Sequence, residues 1–212
     1  MNKTRVIKWL TAISLFLFIL SISILFVIFY RPLYSMAIGW FDIESMTGLS
    51  KLQLENNYQQ LMDYLTKPWV SQLVMTNFPS SEQGLFHFHE VKRLFMVDYV
   101  VVVVTLGILY YGAKWLQREG KLWLLLNPLK LLLMLPFVVL TMVAFFFDPL
   151  FVFFHKVFFN NDAWIFDVRT DPVIAALPQD FFLVCFAAVF ILLMLGLFLA
   201  HTAIKNSLKP RQ

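Results

Sequence analysis

Residues 98–116 read DYVVVVVTLGILYYGAKWL, and nothing between Asp98 and Lys114 is charged. A helix that crosses a bilayer needs ~20 mostly apolar residues, and this run supplies them. Three further runs of the same kind lie at about 9–30, 129–147 and 181–201. Of the 212 residues, 60% are apolar and 14% charged. A soluble domain is nearer half apolar and a quarter charged, so composition excludes that class. The expectation is all-α: a four-helix transmembrane protein forming one integral membrane domain over 1–212. Its two long connecting segments, 31–97 and 148–180, are expected to form a partly helical, extracytoplasmic outer subdomain.

The runs differ in quality. Pro136 sits inside the third and predicts a kink. Lys121–Asn127, ahead of Pro128 and Lys130, reads as an approach along the interface. The first run has an apolar core of ~20 residues, longer than the ~7–15 of a signal peptide, and reads as a retained anchor. The single cysteine, Cys185, lies in the fourth run. It permits no intrachain disulfide and reads as a small core residue.

Charge sets the orientation. Lys3, Arg5 and Lys8 precede the first run; Lys114, Arg118, Lys121 and Lys130 lie around the second connection; Lys205, Lys209 and Arg211 follow the fourth. Only Glu119 opposes these basic residues. Basic flanks stay in the cytoplasm, which places both termini inside and both long segments outside. The net charge of +4 comes from this asymmetry and does not argue for nucleic acid.

The outer segments hold the chemistry-bearing residues. Leu49–Leu65 has helical periodicity and should end at Lys67-Pro68. Trp69–Phe78 is apolar on one side and suits an interface. Next comes GLFHFHEVKRLFMVD, residues 84–98. Ser80 or Ser81 offers a helix cap, with the helix expected from about Glu90. Gly84 favours an extended start, in which His87 and His89 share one face. In a helix they would splay by about 200°. The second segment contains FHKVFFNNDAWIFDVRTDPVIAALPQDFF, residues 154–182. It sets His155, Asn160, Asn161, Asp162, Asp167, Arg169 and Asp171 among aromatic side chains. Asn160–Asp162 reads as a turn or cap cluster. Asp171-Pro172 reads as an N-cap followed by a first-turn proline. An interfacial aromatic belt with turn residues would explain part of this stretch. Ionisable groups in an apolar frame are also what chemistry on a lipid-like substrate requires. His201, near the end of the fourth run, suits a structural role at a helix C-terminus.

These two stretches resemble the signature segments of a family of bacterial four-span integral membrane proteins, the lipoprotein intramolecular transacylases. The length and the pattern of runs agree with it, so the resemblance covers essentially the whole chain. One position departs from the wider family: Phe95 stands where a histidine often lies three residues before the aspartate matching Asp98. The resemblance implies an enzyme that moves the sn-2 acyl chain of a diacylglyceryl lipoprotein to the α-amine of its N-terminal cysteine. The product is a lyso-form lipoprotein. No cofactor and no external acyl donor are implied. Substrate lipoproteins and membrane lipids are the expected partners, with no nucleic acid and no obligate protein partner.

The resemblance points to His155, His87 and His89 as catalytic. Asn161, Asp162, Asp167, Arg169 and Asp171 follow as substrate-binding or orienting residues. Arg169 has a plainer reading as the ion-pair partner of Asp167 or Asp171. No serine or cysteine elbow is recognisable, which agrees with direct attack by the amine. The competing reading, from a different class, is an extracytoplasmic metal-binding or transport protein using His87, His89 and His155. Against transport, no run carries the paired charges of an ion path.

Overall fold

The computed structural model describes residues 3–208. Lys209 and Arg211 of the C-terminal basic flank lie outside the described residues. The described chain is helical: α1 (Lys3–Phe29), α2 (Pro32–Trp40), α3 (Ile43–Thr47), α4 (Lys51–Thr66), α5 (Glu82–Arg118), a 3₁₀ turn (Leu122–Leu125), α6 (Leu126–Phe145), α7 (Phe147–Phe158), α8 (Val173–Ala176) and α9 (Gln179–Ser207). Among the described residues, four stretches are long and apolar enough to cross a membrane: α1, α5, α6 with its leading turn, and α9. The chain divides into two compact units.

One unit comprises Met1–Val27, Tyr99–Phe145 and Phe186–Gln212. Its core is aliphatic: Ala12, Leu116, Leu125, Leu129, Leu193 and Leu197, each at most 2% exposed. Small residues let the backbones approach, as is common where helices pack in lipid. A Cβ on Gly112 would fall 2.2 Å from Thr11 Oγ1, and one on Gly196 would fall 2.5 Å from Ile19 Cγ2. The buried hydroxyls of Thr11, Ser23 and Thr105 donate to carbonyls one turn back, at 2.6–2.7 Å. They therefore need no partner on another helix.

The second unit comprises Ile28–Asp98 and Phe146–Cys185. Tyr34 on α2 is its hub. The ring stacks on Tyr58 of α4 with centroids 4.0 Å apart, and Phe181 packs edge-on at 5.4 Å. Tyr34 Oη donates to the Ala176 carbonyl at 3.0 Å. The chain after α2 is ordered. Asp42 adopts φ 50° and Gly48 φ 69°, and the short α3 fits between them. α4 begins with a capping box, in which Gln53 Oε1 accepts the Ser50 N–H at 3.0 Å. It ends ahead of Pro68, as the sequence predicts. The following segment is irregular, with Trp69 77% and Val74 70% exposed. Asn57 and Asn77 exchange hydrogen bonds that hold it to α4. The buried Lys92 ammonium donates to the Lys67 and Val70 carbonyls and lies 4.5 Å from the Tyr64 ring centroid.

The start of α5 corrects the sequence reading. The helix begins at Glu82 and not near Glu90, so His87 and His89 lie on helix and not on an extended strand. Ser81 caps it: Oγ accepts the Gly84 N–H at 3.0 Å.

Candidate active site

Two histidines meet in the second unit. His87 comes from the N-terminal part of α5 and His155 from the last turn of α7. Their ring centroids are 5.8 Å apart. Both are buried, at 7% and 8% exposure. α7 restarts at Phe147 after a one-residue break, and its aromatic residues recur so that Phe151 lies one turn before His155.

The walls around the pair are aromatic. Trp164 stacks on His155 with centroids 4.5 Å apart at 29°. Phe159 and Phe166 meet His87 edge-on at 4.8 and 5.6 Å. Phe151 packs 4.3 Å from the His155 ring.

One contact determines a tautomer. His155 Nδ1 lies 2.7 Å from the Phe151 carbonyl oxygen. A carbonyl only accepts, so Nδ1 carries the proton and Nε2 keeps its lone pair. Burial lowers the His155 pKa, with the Phe151 bond opposing that shift. His87 lies well ahead of the apolar run that begins at Asp98. Burial, and then the neighbouring His155, push its pKa down to about 4. Both imidazoles are therefore neutral at ordinary pH. His87 Nδ1 and Trp164 Nε1 are buried without a hydrogen-bond partner. Buried polar atoms are nearly always paired, so two orphans around one imidazole pair mark a place built for something other than stability.

The remaining predicted residues divide into three groups. Asn161 is brought to the site's edge: its Nδ2 donates to Glu90 at 3.0 and 3.2 Å, and its Oδ1 accepts the Ala163 N–H at 2.9 Å. Asp162 is exposed and contributes only its carbonyl, which Gln83 Nε2 meets at 3.3 Å. Asp167 and Arg169 pair with each other at the surface, where Arg169 is 85% exposed. That guanidinium's hydrogen bonds hold the Asp167 pKa down to about 2. Exposed pairs of this kind contribute little to stability.

Asp171 has a different task from the expected cap. α8 starts at Val173, and the Asp171 carboxylate, 2% exposed, turns instead to Ser81. It accepts the Ser81 N–H at 2.8 Å and the hydroxyl at 2.7 Å. His89 is not brought to the pair. It is exposed, because the helical path turns it away from the face that buries His87. Among the described residues, no three His, Cys, Asp or Glu side chains gather as a metal cluster. The three-histidine metal reading thereby loses its geometry.

Sequence reasoning missed Glu90, Gln83 and Trp164. Glu90 stands three residues after His87, and on a helix that is the same face. The Ser81 cap was the available signal; Gly84 masked it.

The site and fold define a class: an all-helical, four-span membrane protein with a neutral imidazole pair enclosed by aromatic rings. The family model described as lipoprotein intramolecular transacylase Lit matches residues 9–182, and the chain belongs to that family. It is similar to the solved structure of the membrane-integral lipoprotein intramolecular transacylase Lit from Bacillus cereus. The TM-score is 0.89 at 25% identity, covering 96% of this chain and 94% of that one. Two further structures of the Bacillus cereus protein, with a histidine replaced by arginine or by alanine, match at TM-score 0.85 and 26% identity. They cover 96% of this chain and 91% or 92% of theirs. A comparison with curated proteins finds no match.

Proposed function

We propose that this chain is a membrane acyltransferase that moves the sn-2 acyl chain of a diacylglyceryl lipoprotein to the α-amine of the same N-terminal cysteine. The observation that carries the assignment of roles is His155, whose Nδ1–H is held by the Phe151 carbonyl at 2.7 Å. That bond leaves Nε2 as the base. The amine nitrogen attacks the ester carbonyl carbon, and a C–N bond forms. His155 Nε2 takes the proton that the amine sheds. The glycerol C–O bond then breaks, and the same proton passes to the departing alkoxide. Nothing is left over, so no second substrate enters. His87, kept neutral by burial, offers its unpartnered Nδ1 as an N–H donor to the carbonyl oxygen while negative charge develops there. The aromatic walls exclude water, which favours the amine over hydrolysis.

Donor and acceptor share one molecule, so orientation supplies much of the rate. Effective molarities for well-aligned intramolecular reactions reach ~10⁵–10⁸ M. The consequence is testable with two lipopeptides carrying acyl chains of different length. Tandem mass spectrometry of the mixture is expected to show each chain retained on its own peptide. Scrambled chains would mean an acyl-enzyme or a diffusible donor, and the direct-attack scheme would be lost.

The same reading places the site on the outer face of the cytoplasmic membrane, with both termini inside. The basic residues at 3–8 and 114–130 support it, since basic flanks remain cytoplasmic. A cysteine introduced at Ser50 is expected to react with an impermeant thiol reagent in intact protoplasts. Labelling that requires cell lysis would reverse the orientation.

A further inference from the structure

The membrane unit contains a groove of about 580 Å³ between α1 and α5. Ligand clefts run ~300–1,000 Å³, so the groove has room for a ligand. Ile7 and Leu10 line it from α1; Tyr111 and Trp115 line it from α5, beside Gly107 and Gly112. Gly107 borders its open space, since a Cβ there would meet nothing within 4 Å.

One end of this apolar groove is basic. Lys3 stands one helical turn before Ile7, and Arg118 stands three residues after Trp115, so each continues its helix's lining stripe. Both are exposed. The ammoniums of Lys3 and Lys121 lie 5.7 and 5.4 Å from the Trp115 ring centroid. Glu119 neutralises Lys121 at 3.0 Å.

We propose that the groove binds an anionic phospholipid, with an acyl chain along the Gly107 face and the phosphate between Lys3 and Arg118, beside Trp115. A helix from a second copy would match the walls but would leave these two cations against an apolar surface. A zwitterionic choline lipid brings a cation of its own. An anionic lipid complements both parts at once, its acyl chain the apolar walls and its headgroup the basic end.

Native mass spectrometry of the full chain, titrated with phosphatidylglycerol or phosphatidylcholine, tests this. Phosphatidylglycerol is expected to be retained in preference. Lys3→Ser and Arg118→Ser are each expected to weaken its retention about fivefold. Gly107→Leu, which fills the groove, is expected to abolish it. Equal retention of the two lipids overturns the proposal. So does retention that the serine variants leave unchanged, or a dimer that Gly107→Leu dissolves. Thermal unfolding of each variant reports folding. Should Gly107→Leu fail to fold, the two exposed serine variants decide the question.

Discussion

His155→Ala is expected to lower lyso-lipoprotein formation by ~10²–10⁴-fold, the usual effect of losing one general acid–base group. The variant should still fold, because α7 keeps its backbone bonds and gives up the side-chain bond to Phe151 and the ring packing on Phe151 and Trp164. His87→Ala is expected to fall in the same range if its N–H stabilises the oxyanion. His89→Ala should stay near wild type, since His89 is exposed and away from the pair. His201→Ala should also be close to silent. Mass spectrometry of lipoprotein N-termini reads all four. Full activity in both His155→Ala and His87→Ala would remove imidazole from the mechanism.

The pH profile follows from the same groups. His87 has its folded pKa near 4, below the ordinary 6.5. The unfolded chain therefore binds a proton there that the folded chain refuses. Stability from this group is complete above about pH 6.5 and is lost as pH falls toward 4. Activity should fall earlier. The attacking α-amine has a pKa of ~7.7–8.0 and must be neutral. Rates are thus expected to drop below about pH 8 while the fold remains intact. Constant activity down to pH 5.5 would contradict attack by a free amine.

Asp171→Ala is expected to destabilise the protein by about 1–3 kcal/mol, because it strands the Ser81 N–H and hydroxyl that the carboxylate accepts. Gly84→Ala should act on the same contact from the other side. A Cβ there would lie 2.1 Å from Asp171 Oδ1 and 2.9 Å from Cγ, so the buried carboxylate must move. The two changes are therefore coupled. In the Asp171→Ala background the clash is gone, and Gly84→Ala should be neutral or stabilising, since alanine favours helix by ~1 kcal/mol over glycine. Thermal unfolding in detergent would measure this cycle. Additive losses would show that Gly84 and Asp171 act independently. Both single variants should also reduce turnover, because they loosen the turn that sets the start of α5 and with it the placement of His87.

The start of α5 shows how far local sequence carries. Ser81 is a good cap and the residues after Glu90 are plainly helical, yet Gly84 argues locally for a break. Glycine in a helix costs backbone entropy, and nothing nearby in sequence compensates. The compensation is Asp171, distant in sequence, whose carboxylate occupies the space that a side chain at 84 would fill. That tertiary contact made His87 and His89 diverge and placed Glu90 within reach of Asn161. The plainer reading of Arg169, as the partner of Asp167, was legible because both groups lie two residues apart in one turn.

By itself the sequence determined the class, the four apolar runs and the residues worth weighing. Transfer of ~20 apolar residues into lipid is a local, additive quantity, and the two motif segments are contiguous. Tertiary structure alone decided which histidines lie side by side. His87 and His155 come from separate helices, and their pairing at 5.8 Å depends on how those helices and the aromatic loop between them pack. It also carries the proposal that His155 is the base. The Phe151 carbonyl fixes the proton on His155 Nδ1, and burial in an aromatic frame keeps His87 neutral. Tautomer and desolvation belong to the three-dimensional surroundings of a ring, and no spacing along the chain encodes them.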